Sequence, residues 1–207
     1  MPRTDRNSRL LQLKAFDAQY MRGGITVAGM DEAGRGPLVG PVVAACAVMP
    51  ASSAILWVDD SKKLSEKRRE LVYDEIVADA LQWAVGTASA AEIDELNILG
   101  ATRLAMRRAA EQIRADVWLI DAVRDLGLPG REVPIIRGDA SSYAIAAASI
   151  IAKVTRDRML RTLNEQYPGY GFLRNKGYGT QEHIAALKAL GPCPEHRRTF
   201  IGHFVDV

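Results

Sequence analysis

Residues 25–48, ITVAGMDEAGRGPLVGPVVAACAV, carry the pattern that decides the fold. Two apolar runs, 25–30 and 42–48, flank a segment rich in glycine and proline, as two neighbouring strands joined by a turn-forming connection would. Residues 36–58 contain no charge and are long enough to cross a bilayer. Pro37, Pro41 and Pro50, with Gly36 and Gly40, would interrupt any helix there. The stretch therefore reads as a turn at 36–41, a buried strand at 42–48 and an exit marked by Pro50, and no membrane span is expected. The first run ends in two adjacent acids, Asp31 and Glu32, in the most apolar part of the chain.

Outward from this stretch, helical spacing of Leu64, Leu71, Val72 and Ile76 predicts a helix over 64–80 with Ser65 as its N-cap. A strand at 81–88 follows. Ser89 and Glu92 have the spacing of a capping box and open a helical stretch to about residue 114, with interruptions expected at Asn97 and Gly100. Residues 117–120 and 133–136 read as strands, 142–160 as an alanine-rich helix able to pack closely, and 181–190 as a further helix. Strands in a run, then alternating with helices, predict an α/β domain with a central mixed sheet flanked by helices. The expected division is a lead-in at 1–24, a catalytic domain at 25–165 and a small helical appendage at 166–207.

Composition narrows the function classes. A chain of 207 residues, 48% hydrophobic and 25% charged, is neither fibrous nor wholly disordered, and fits one compact domain. Basic residues concentrate late: 141–207 hold 9 Lys or Arg against 5 Asp or Glu, whereas 1–140 hold 18 against 20. That asymmetry is compatible with a polyanionic partner but does not identify one. Cys46 and Cys193 form no CxxC pair, and His183, His196 and His203 lack metal-site spacing, so zinc is not expected. A reducing, cytoplasmic setting and a monomer are expected, and the first 24 residues lack the apolar core of a secretory signal.

The acids fall at the ends of apolar runs: Asp31 and Glu32 after ITVAGM, Asp121 after VWLI, Asp139 three residues after Ile136. In open α/β sheets, sites collect beyond the carboxyl ends of strands. Several carboxylates gathered there without matching bases call for a cation, and hard oxygen donors select Mg2+ or Mn2+. The corresponding chemistry is two-metal phosphodiester cleavage. One geometric condition applies. Side chains of successive strand residues point to opposite faces, so Asp31 and Glu32 can serve one site only if the strand ends or bulges there. The adjacent GRGPLVG, residues 34–40, would let a backbone approach a substrate closely, with Arg35 available to a phosphate. A dinucleotide fingerprint is disfavoured because prolines break the helix that should follow and two acids adjoin the supposed pyrophosphate.

GMDEAGRGPLVGPVVAACAV, DSKKLS, IDELNI, LIDA, GDASSYAIAAASIIAKVTRDR, GYGT and HRRTF, in this order, make the chain resemble bacterial ribonuclease HII over roughly residues 25–200. The resemblance implies a ribonuclease H-like fold with a five-stranded mixed sheet. It implies metal-dependent cleavage of the RNA strand of RNA/DNA hybrids and of single ribonucleotides embedded in duplex DNA. It also implies Asp31, Glu32, Asp121 and Asp139 as catalytic metal ligands, with Asp157 an alternative to Asp139. Asp157 is better explained by ion pairing beside Arg156 and Arg158 on a solvated or interdomain face. Gly34, Arg35 and Gly36 match the loop that reads the ribose 2′-hydroxyl through backbone atoms, and Tyr178 the tyrosine packed on the sugar at the RNA-to-DNA junction. Lys62, Lys176, Arg197 and Arg198 are candidate phosphate contacts.

Overall fold

The computed structural model describes residues 3–59 and 61–206. Strands β1 (Val27–Ala33), β2 (Val42–Val48), β3 (Gln82–Ala88), β4 (Val117–Asp121) and β5 (Arg131–Ile135) form one mixed sheet in the order β3-β2-β1-β4-β5. The β1–β2 and β2–β3 pairs are antiparallel, and the β1–β4 and β4–β5 pairs are parallel. The helices are α1 (Arg3–Asp17), α2 (Glu66–Asp79), α3 (Ala90–Ala110), α4 (Tyr143–Gln166), α5 (Phe172–Asn175), α6 (Gln181–Leu190) and α7 (Arg198–Ile201). No helix among the described residues is long and apolar enough to cross a membrane.

The sheet is sandwiched between helices because β2 is apolar at every position and must be covered on both faces. Ala28, Met30, Ala44 and Cys46 pack with α3 residues such as Ala105 and Ala109. On the other face Ala45 and Ala47 meet α4, α2 and, through Leu10 and Leu13, α1. Small residues set the spacing on both faces. A Cβ on Gly29 would lie 2.0 Å from the Ala144 carbonyl carbon of α4, and one on Gly86 2.1 Å from the Ala105 oxygen of α3. Neither neighbour is a side chain that can swing away. Gly29→Ala is expected to destabilise the fold by about 2 kcal/mol through overpacking, read as a lower urea midpoint at unchanged slope; an unchanged midpoint would mean that α4 is not seated on β1.

Local signals carried through at the helix ends. Ser65 accepts from the Arg68 amide, and Ser89 and Glu92 form both bonds of a capping box. α3 breaks at Asn97, whose φ of 58° is left-handed and whose Oδ1 accepts from the Leu99 and Gly100 amides; Gly100 itself stays helical. α4 runs six residues beyond its expected end, to Gln166; its fully buried positions stop at Leu160, and in the added turn Arg161 pairs with Glu66 and Glu70 of α2.

The last helices close over the 36–41 turn. Leu38 N donates to Gly177 O, Gly40 N to Glu195 O, and Arg197 N to Leu38 O, so the turn lies between two later segments. Beneath them His183 Nε2 and His196 Nε2 lie 3.1 Å apart. His183 Nδ1 meets the Tyr178 carbonyl oxygen and therefore carries a proton, so its Nε2 accepts from His196 Nε2–H; His196 Nδ1 then accepts from Cys193 N. A second proton has no place in this chain. Burial accordingly lowers both imidazoles, His196 to about 4. A base depressed on folding gives stability that is present above its unfolded value, about 6.5, and lost as pH falls from there toward 4. The stability advantage of wild type over His196→Asn, from denaturation midpoints, should be full at pH 8 and nearly gone by pH 4.5. A difference independent of pH would contradict this tautomer chain.

Candidate active site

Pairing register brings the first acids together. β1 and β4 pair in parallel from Val27↔Val117 to Met30↔Ile120, so Asp31 and Asp121 occupy the next matching positions, and each shares the α4-facing phase of its strand. Glu32 is in the opposite phase. Contrary to the geometric condition read from sequence, β1 neither ends nor bulges here: its pairing with β2 continues regularly through Ala33↔Val43. The β1–β4 ladder is what stops, at Met30, and Glu32 stands beyond it where the sheet opens. Asp31, Glu32 and Asp121 consequently line one cleft of about 630 Å³, with Gly34, Arg35, Gly36, Lys62 and Tyr178 also on its walls.

Asp139 is not among the residues lining the cleft. It sits half-buried in a 3-10 turn, Gly138–Ala140, that is held against β4 by Gly138 N donating to Asp121 Oδ1 at 2.7 Å. It is near enough for its charge to act on Asp121.

The cleft is electrostatically strained. Burial first, then the charges of Glu32 and Asp121, push the Asp31 carboxyl well above its usual range. Burial likewise raises Glu32 against the opposing pull of Arg35, and raises Asp121, which also feels Asp139. Lys62, exposed at the mouth, draws both Glu32 and Asp121 back toward ionisation.

Each acid turns one oxygen to a local donor. Asp31 Oδ1 accepts from Glu32 N at 2.7 Å, and Glu32 Oε1 from Arg35 at 3.3 Å. Glu32 Oε2 is buried with no partner. Among the described residues no three His, Cys, Asp or Glu side chains are drawn into a closed chelate. An orphaned carboxylate oxygen beside two further carboxylates, all oxygen donors, nonetheless fits a hard divalent cation, which would relieve both the repulsion and the missing bond.

Around the acids, Gly34 adopts φ 98°, and a Cβ there would lie 2.1 Å from Arg156 Nε, so the first glycine of the loop is required on two grounds. Gly36 lies beneath the Tyr178 ring, whose Cε1 would be 3.4 Å from a Cβ at that position. Tyr178 is half exposed, leaving a ring face open to a ligand. Lys176 pairs with Glu66 at 3.0 Å, and Arg198 is exposed. Arg197 is fully buried, bonded to backbone carbonyls, and is therefore not a phosphate contact.

Asp157 does form ion pairs, but with neither Arg156 nor Arg158 and not on a solvated face. It is buried, 3.1 Å from Arg69 and 2.6 Å from Lys153. Sequence reading missed Ser149, which tempers the rise of the Asp31 carboxyl and donates to Ser61 Oγ at 2.9 Å, and Ser61, Lys153 and Asn175, which share the cleft. Ser149 had a signal: it is the one polar side chain between Tyr143 and Lys153.

Comparison with known proteins identifies the family. The family model described as Ribonuclease HII matches residues 28–205. The Ribonuclease HII of Burkholderia thailandensis is 55% identical over 187 residues, covering 89% of this chain and 86% of the relative. That of Caldanaerobacter subterraneus subsp. tengcongensis is 47% identical, covering 93% and 81%. The crystal structure of ribonuclease H2 from Pyrococcus horikoshii OT3 superposes with a TM-score of 0.69 at 28% identity, covering 84% of this chain and 93% of that one. Its ribonuclease H-like architecture is the one described above. The chain is a phosphodiester hydrolase acting on the RNA of RNA/DNA hybrids, and it belongs to the ribonuclease HII family.

Proposed function

We propose that this chain cuts the RNA strand of hybrids and single ribonucleotides embedded in duplex DNA, on the 5′ side of the ribonucleotide, leaving 3′-hydroxyl and 5′-phosphate ends. The observation that carries the reading is the meeting of Asp31, Glu32 and Asp121 in one cleft whose wall is formed by Gly34, Arg35, Gly36 and Tyr178. Asp31, Glu32 and Asp121, joined by Asp139, would hold two Mg2+ or Mn2+ ions, which when bound supply a water of lowered pKa and positive charge at the scissile phosphate. The carboxylates fix where that charge sits. Amides of the Gly34–Gly36 loop meet the 2′-hydroxyl, the feature that separates RNA from DNA. Tyr178 stacks on the adjoining sugar, and Lys62, with Lys176 and Arg198, meets phosphates.

In this reading residues 25–165 form the catalytic unit, 166–207 complete the substrate wall, and 1–24 are a lead-in, the first two residues of which lie outside the described ones. The chain works as a cytoplasmic monomer, a setting compatible with its two free, buried cysteines. The test is incubation of a DNA duplex containing one ribonucleotide, and of its all-DNA twin, with Mg2+ and with EDTA. Cleavage only of the first, only with Mg2+, and giving 3′-hydroxyl ends is expected. A cyclic phosphate end would instead indicate attack by the neighbouring 2′-hydroxyl, and equal cutting of both duplexes a nuclease that does not read the ribose.

A further inference from the structure

Two arginines lie behind the Gly34–Gly36 loop with almost no exposure, and among the described residues neither forms an ion pair with a carboxylate. Arg197 Nη2 donates to Gly34 O at 2.6 Å and Gly40 O at 2.9 Å, Nη1 to Arg35 O at 2.9 Å, and Nε to Gly40 O at 3.0 Å. Arg156, from α4, donates to Pro41 O, Val39 O and Lys176 O at 3.2–3.3 Å. Burying a guanidinium beside another is unfavourable: desolvation and the neighbouring charge of Arg156 draw Arg197 down to about 9. An aliphatic side chain could fill the same volume without that penalty. What it could not supply is five donors in a fixed fork.

From this geometry we infer that Arg197 is a positioning residue for ribose recognition: it holds the carbonyls of Gly34, Arg35 and Gly40 inward and so fixes the direction in which the loop presents its amides to the 2′-hydroxyl. The inference rests on the proposed reading of that loop. The same short segment serves the other wall, since His196, next to Arg197, holds Tyr178 O through His183. Residues 196–197 therefore set the spacing between the ribose-reading amides and the ring that packs on the sugar.

The test uses the full chain, two duplexes differing in one ribose, and fluorescence anisotropy in EDTA, where nothing is cut. In Arg197→Lys the charge remains but the fork is gone. The binding preference for the ribonucleotide duplex over the all-DNA duplex should fall about tenfold, the value of one hydrogen bond, while affinity for the all-DNA duplex stays within about twofold. The rise in melting temperature caused by Mg2+ should match that of wild type. Val72→Ala, a cavity under α4 remote from the loop, should lower stability and keep the preference. Full preference in Arg197→Lys, or equal loss in Val72→Ala, would reduce Arg197 to a stability residue and overturn the inference. Should Arg197→Lys not fold, Arg156→Lys, which loosens the same loop through Val39 and Pro41, is read by the same criteria. Absence of any preference in wild type would count against the ribose-reading loop itself, and absence of cleavage in Mg2+ against the nuclease reading.

Discussion

Asp31→Asn is expected to lose cleavage by about 1000-fold and, in EDTA at pH 7.5, to melt at a higher temperature than wild type. The first effect follows from removing a buried anionic donor at nearly constant volume: divalent charge held at the scissile phosphate contributes several kcal/mol, and each 1.36 kcal/mol is tenfold in rate. The second follows from the direction of the Asp31 shift. A carboxyl raised on folding binds its proton more tightly in the native state, so stability falls as pH rises from the unfolded value, 3.8, through the raised native one.

At neutral pH the ionised form therefore works against the fold, and asparagine removes that charge and its repulsion with Glu32 and Asp121. A gain of about 1 kcal/mol corresponds to roughly 2–4 °C in a chain of this size. Mg2+ should raise the melting temperature of wild type and do so less for the variant, because a ligand bound only by the native state stabilises it. Calorimetry with and without Mg2+, beside a steady-state cleavage assay, separates the two effects. A variant that is inactive because it has unfolded, or one that turns over like wild type at saturating Mg2+, would remove Asp31 from the site.

Asp157→Ala should do the opposite, destabilising by about 3–5 kcal/mol, the usual consequence of leaving buried charges unpaired. Arg69 and Lys153 would both lose their carboxylate. Arg69 also donates to Ser61 O and Leu64 O, so this ion pair ties α4 to α2 and to the segment carrying Lys62. The measurement is a urea midpoint together with kcat below the melting transition. Loss of stability with kcat retained within about tenfold makes Asp157 a strut of the α2–α4 interface. Loss of activity at unchanged stability would restore it as a metal ligand in place of Asp139.

The contrast between the two aspartates marks where sequence reading stopped. VWLID and ITVAGMDE announce strands ending in acids, and both strands are present within a few residues of the expected limits. VTRDR announces an acid among bases on a helix, which is also present, but its partners are Lys153, one turn back on α4, and Arg69 of α2, 88 positions away, and not the two flanking arginines. Arg197 is the sharper instance. In HRRTF it is indistinguishable from Arg198, yet one is fully buried and the other exposed.

The chain's own order of residues determined the elements and their caps: alternating or continuous apolar runs, Ser65, Ser89 and Ser142 at helix starts, and small residues wherever helix and sheet come close. These are local, because burial periodicity and capping involve residues a few positions apart. Tertiary structure alone decided that the β1–β4 ladder stops one residue short of Asp31 and Asp121, that β1 runs on past Glu32, and that Arg197 turns inward to three carbonyls. Those outcomes depend on which distant backbone groups remain unpaired once the sheet and helices have packed, a quantity that no short window of sequence contains.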